Sequence, residues 1–269
     1  MLCGLTILFQ AIYSKFFNDG VIVDNSAIEK SSPCERLSRV VKKISEANPE
    51  ESILAGWAFV FDLPKTSTFF DVVPYIKSFS DLIEECKKIV ELFAYERNKP
   101  KYIKALNTLL GLPGHIDFRG KFKPIHDRVT QLLVNDLEYC ANELRDYYSE
   151  VVIPKEELEG LLEDVLRLKK SILELSLDVE IKSHCLKLLN ALEEAILDYK
   201  IKGIESLVDV MYTQYKRLDE ILKVLKPEEQ NKFKKLFVRV KNCVILASDV
   251  HSASTLALAA VSQIDKIIS

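Results

Sequence analysis

Between Leu158 and Val250 apolar residues recur at alternating steps of three and four, and no other feature of the chain constrains its fold as tightly. One set is Leu158, Leu162, Val165, Ile172 and Leu175; the next is Ile181, Cys185, Leu188, Leu192, Ala195 and Tyr199. A third set, Ile204, Val208, Met211, Tyr215, Leu218, Leu222 and Leu225, precedes Pro227-Glu228-Glu229. Phe233, Phe237, Val240, Val244, Ala247 and His251 then continue the rhythm. A mean step near 3.5 residues draws one apolar stripe along a helix and forms the seam of helices crossing at a small angle. With only short connections between the sets, the pattern predicts a long-helix antiparallel bundle over 153–269, closed by a last apolar helix in 252–269.

The first half is helical in a less regular way. The chain has 8 Gly and 9 Pro in 269 residues, too few turn formers for an all-β fold, so the fold class is all-α. Ser32-Pro33-Cys34-Glu35 combines an N-cap, a first-turn proline and the acid of a capping box. Asn48-Pro49-Glu50-Glu51 reads as a second start, feeding Ile53, Leu54, Trp57 and Val60, with Asp62-Leu63-Pro64 as the stop. A longer helix is expected from about Val72 to Arg97, with Pro74 in its first turn and Lys99-Pro100 as its break. A short helix over 101–110 should end at Gly111-Leu112-Pro113-Gly114. Pro124 should then start a helix carrying Val129, Leu132, Leu133, Leu137, Cys140 and Leu144. These elements make an N-terminal helical subdomain over 32–152.

Residues 1–31 read as an extension: an apolar stretch over 1–17 and a polar linker over 18–31. The apolar part has no basic start, is followed by no small-residue cleavage site, and is too short to span a bilayer. It reads as a docking helix, or as an addition from an upstream start codon. The stretch 243–261 is apolar enough to raise a membrane-acting effector as one reading, yet Asp249 and His251 in its middle argue for a buried helix.

With 37 basic and 40 acidic residues, a net charge of −3 offers no overall field for nucleic acid. Neither phosphate-binding glycine motif is present. The basic clusters Lys232, Lys234, Lys235, Arg239, Lys241 and Lys99, Lys101, Lys104 lack interleaved aromatics, and the first reads as a solvated helix face opposite Phe233, Phe237 and Val240. Six cysteines stand at 3, 34, 86, 140, 185 and 243 without a CxxC pair, which suits core filler in a reducing, cytoplasmic setting. His184 with Cys185, and His251 with Cys243, lack the paired ligands of structural zinc, so no metal or cofactor is expected. Asp136 falls on the apolar side of its helix and should meet an Arg, Lys or Tyr. Gly203, after Asp198-Tyr199, marks a tight link between two long helices and should supply a left-handed turn.

One pair could carry chemistry. Arg119 and His126 have the loose spacing of the Arg and His in HEPN-type ribonucleases, where His acts as general acid and base and Arg stabilises the phosphate. Gly120 and Pro124 interrupt any continuous helix that would hold the two in register.

Leu192–Leu207, reading LEEAILDYKIKGIESL, Trp57 ahead of the Phe61-Asp62-Leu63-Pro64 loop, and Phe118-Arg119-Gly120 ahead of Leu137-Glu138-Tyr139-Cys140-Ala141 resemble a family of uncharacterised bacterial all-helical proteins. The resemblance covers roughly residues 33–225. It implies a bacterial cytoplasmic origin and an association with phage defence, and it carries no activity or site residues. The expected function is a non-catalytic helical interaction or regulatory module in a phage-defence or toxin–antitoxin setting, acting through a protein partner or self-association. A HEPN-like ribonuclease using Arg119 and His126 and a membrane-acting effector are the alternatives.

Overall fold

Ser32 opens the first helix as the capping box predicts: its Oγ accepts the Glu35 amide at 3.1 Å, and Glu35 Oε2 accepts the Ser32 amide at 2.8 Å. A computed structural model describes residues 29–113, 119–145, 147, 149–247 and 255–268. Among them are eleven helices and one two-stranded antiparallel ladder, so the fold is all-α. The apolar segment 1–17, most of the linker and His251 lie outside the described residues.

The N-terminal body holds α1 (Pro33–Glu46), α2 (Ile53–Val60), α3 (Phe69–Phe93), α4 (Lys99–Leu110), the one-turn α5 (Lys123–His126) and α6 (Gln131–Leu144). Their apolar faces close around Trp57, which is fully buried. Its ring stacks on Phe61 at 5.3 Å and meets Phe122 edge-on at 5.6 Å. The C-terminal body holds α7 (Lys155–Glu174), α8 (Val179–Lys202), α9 (Glu205–Val224), α10 (Pro227–Ala247) and α11 (Thr255–Ile268) around a second apolar core. The predicted seam is buried at Cys185, Leu188, Leu192, Val208, Met211, Leu218, Phe233, Phe237, Val240 and Val244. No helix among the described residues is long and apolar enough to cross a membrane.

Several boundaries differ from the sequence reading, and proline explains most of them. Pro100 sits at the second position of α4 and starts that helix, because a proline in the first turn costs no hydrogen bond. Pro124 likewise starts only the single turn α5; α6 begins afresh at Gln131, where Thr130 Oγ1 accepts the Leu133 amide. That restart rotates Leu132 to the surface, where it is 69 % exposed. The helix α3 begins at Phe69, with a Thr68–Asp71 capping box, so Pro74 lies beyond its first turn. The true cap of α2 is Ser52, which accepts the Ala55 amide, and not Asn48.

The linker reading also needs correction at its end. Lys30–Ser31 form strand β1, paired antiparallel with β2 (Glu150–Val151) in the register Lys30 to Val151 and Ser31 to Glu150. The pairing brings the start of the N-terminal body beside the segment that leads into the bundle.

Leu192 is fully buried at the centre of the second core. Leu192→Asp is expected to lower the free energy of unfolding by ~3 kcal/mol or more, because the carboxylate has no partner there. A denaturant midpoint equal to wild type would place this stripe on the wrong face.

Candidate functional site

The two bodies meet on polar groups that would be costly to bury singly. Arg36, on the buried face of α1, reaches the last turn of α8. Its Nε donates to the Ile201 carbonyl at 2.9 Å and its Nη2 to the Lys202 carbonyl at 3.1 Å. Its Nη1 meets Glu150 Oε2 at 3.1 Å. Two carbonyls that the end of a helix leaves unbonded are thus satisfied by a cation at the negative end of the helix dipole. Burial alone would lower the Arg36 pKa, but Glu150 raises it, so the guanidinium stays charged.

Gly203, straight after α8, has φ +66 and ψ −147. The positive φ matches the sequence reading, but the ψ belongs to a region open essentially to glycine alone. A Cβ here would stand 2.5 Å from the Arg36 guanidinium and 2.6 Å from Glu150 Oε2. Glycine is required twice, by its backbone and by its neighbours.

Beside this clasp lies a cleft of about 730 Å³ bounded by both bodies. Arg39, Lys43 and Tyr75 line it from the N-terminal body, Leu197, Lys200 and Leu246 from the C-terminal body. Asp62, which follows α2, spans its edge: Oδ1 takes Lys43 Nζ at 2.6 Å and Oδ2 takes Lys200 Nζ at 3.2 Å. Partial burial works to raise the Asp62 pKa, yet the hydrogen bonds from Lys43 and Lys200 hold it below its usual range. Asp62 has φ +58, the one positive φ outside glycine among the described residues.

A second hollow of about 480 Å³ opens between α3 and α9, with Glu85 and Glu205 facing it. Glu85 Oε1 is buried without a hydrogen-bond partner. Burial, and then repulsion from Glu205, push the Glu85 carboxyl up to about 8. Next to Glu85 on α3, Cys86 meets Cys34 and Cys140 in the first core. Hydrogen bonds from Cys140 and Cys86 lower the Cys34 pKa, while burial raises that of Cys86. Neither group has a sequence signature, since each joins residues from helices far apart in the chain.

The residues singled out by sequence fall elsewhere. Arg119 is exposed in the turn before α5, and His126 ends α5 with Nδ1 3.3 Å from Asp127 Oδ1. Asp136 meets a lysine as expected, pairing with Lys101 at 2.8 Å. His184 Nδ1 is 4.0 Å from Glu220 Oε2, while Cys185 and Cys243 are buried in the second core. Among the described residues no group of three or more His, Cys, Asp or Glu side chains is arranged to hold a metal ion. The basic cluster on α10 is not one solvated face. Arg239 pairs with Glu157 and Asp164 of α7, and Lys241 is buried against Asp265 at 2.6 Å, because α7 and α11 pack on that side.

Two outcomes follow from this geometry. Gly203→Ala should lower the denaturation midpoint by the equivalent of ~3 kcal/mol or more, through strain and loss of the clasp together; an unchanged midpoint would mean that the clasp can shift at no cost. For Glu85 the folded pKa of about 8 lies above the ordinary 4.5. The stability this implies is full below the ordinary value and is lost as the pH rises through about 8. Thermal melts from about pH 5 to about pH 9 should therefore show a smaller fall for Glu85→Gln than for wild type, by several degrees. Parallel curves would contradict a buried neutral carboxyl.

No family model, curated protein or solved structure matches this chain.

Proposed function

We propose that this chain is a non-catalytic, regulatory helical module that receives its ligand or partner in the cleft between its two bodies. The observation that carries the reading is the position of the cleft. Its walls come from both bodies, and it lies against the clasp of Arg36, Glu150 and Gly203. A molecule bound there touches α1 and α8 at once, and so bears on the joint that holds them. Clefts between packed helical units are a recurrent place for ligands.

The ribonuclease alternative gains no comparable support. Arg119 and His126 stand apart from the cleft lining, and the His126 ring contacts a carboxylate on the adjacent residue. The purified full chain, incubated with single-stranded and hairpin RNA, is expected to leave both intact. Cleavage by wild type that disappears in a His126→Ala variant with an unaltered melting curve would replace this reading with an enzyme, since loss of a general acid or base typically costs ~100-fold or more.

A further inference from the structure

We infer that the cleft takes a small organic anion with an apolar body, whose phosphate head replaces the Asp62 carboxylate between Lys43 and Lys200. The inference deepens the binding-module reading and rests on it.

Asp62 is an exposed carboxylate of the chain itself, held on two cations from different bodies. Lys43 comes from α1 and Lys200 from α8, so one negative charge is shared by two positive ones. Arg39, one turn before Lys43, adds a third cation to the same wall, and its Nη2 donates to the neutral hydroxyl of Ser31 at 2.9 Å. Glu29 and Glu156 also border the cleft, and neither is bonded to Lys43 or Lys200. With Lys155 and the Arg36–Glu150 pair counted, five cations face four carboxylates along the cleft lining, so positive charge is in excess by one. A dianionic head would match it better than a single carboxylate.

Behind these cations the walls are apolar. Val40 and Val60 line one side, Leu197 and Leu246 the other, and the Tyr75 ring stacks on Phe61 at 5.6 Å. That combination suits a ligand with a hydrocarbon or aromatic body and one charged end. The backbone at Asp62 supplies a separate argument. A left-handed conformation is uncommon outside glycine, Asp is among the residues that adopt it most readily, and here it sets a carboxylate between the two lysines.

The test uses 1-naphthyl phosphate as probe, titrated calorimetrically into the full chain, with 1-naphthol and inorganic phosphate as controls. Naphthyl phosphate is expected to bind about tenfold or more tightly than either control, the gain of a charge-assisted contact. Lys200→Met, at an exposed lysine, should weaken it about fivefold or more, whereas Asp62→Asn should tighten it. Asn tolerates the left-handed conformation, and melting curves without ligand report whether each variant is folded. Lys43→Met gives the same readout from the other body. Equal binding of 1-naphthol, no loss in either lysine variant, weaker binding by folded Asp62→Asn, or no heat at millimolar probe would each overturn the anion assignment. None of these results bears on RNA cleavage, so the module reading stands or falls separately.

Discussion

One buried guanidinium sets the relation between the halves of this protein. Arg36 sits in the first helix of the N-terminal body, yet all three of its donor contacts are made to residues between Glu150 and Lys202. Removing such a cation would strand a carboxylate and two helix-end carbonyls in the interior, a loss of order 3–5 kcal/mol. The same contacts dictate their surroundings. Glu150 must come close, which the β1–β2 pairing achieves, and the chain leaving α8 must turn without a side chain, which Gly203 achieves. Tyr199 Oη, accepting the Ile153 amide at 2.8 Å, fixes the strand's exit from the same joint.

Charge is unevenly distributed across this joint, and the imbalance distinguishes its two hollows. The Arg36 charge is committed to Glu150, so Glu85, which feels it at longer range, is left buried and repelled by Glu205. Its carboxyl answers by holding its proton. On the opposite side Asp62 has two lysines to itself and is held ionised. One hollow is short of cations and the other has more than its carboxylate needs. Only the second presents an electrostatic reason for an additional anion to enter.

What could be read from the sequence was what is local. The capping box at Ser32 and the stripe through Leu192 depend on residues within one or two turns, and both appear as read. Proline misled in two ways: Pro100 looks like a break in the preceding segment and starts the next, while Pro124 reads as the start of a long helix and opens only a single turn. Strands of two residues have no period to detect, so β1 was hidden inside a linker. The joint itself was invisible. Arg36 lies on a face otherwise made of Leu37, Val40, Val41 and Ile44, and nothing nearby shows that its partner lies at residue 150. Gly203 was the exception, because a positive φ is a local demand.

The residue that closes α2 shows how a stop signal and a site can coincide. Asp62-Leu63-Pro64 reads as an end to the helix, and the Leu63 amide does turn back to the Ala58 carbonyl at 2.8 Å. A glycine at position 62 would make that turn without steric cost, since it reaches positive φ as easily as negative. Asp makes it at some expense in backbone energy, and what it adds is a carboxylate placed between Lys43 and Lys200. Because Lys200 belongs to the other body, the carboxylate both tethers the cleft's edge and neutralises it. An occupant that took over those lysines would release the tether, while the Arg36–Glu150 pair, which borders the same cleft, would still join the bodies.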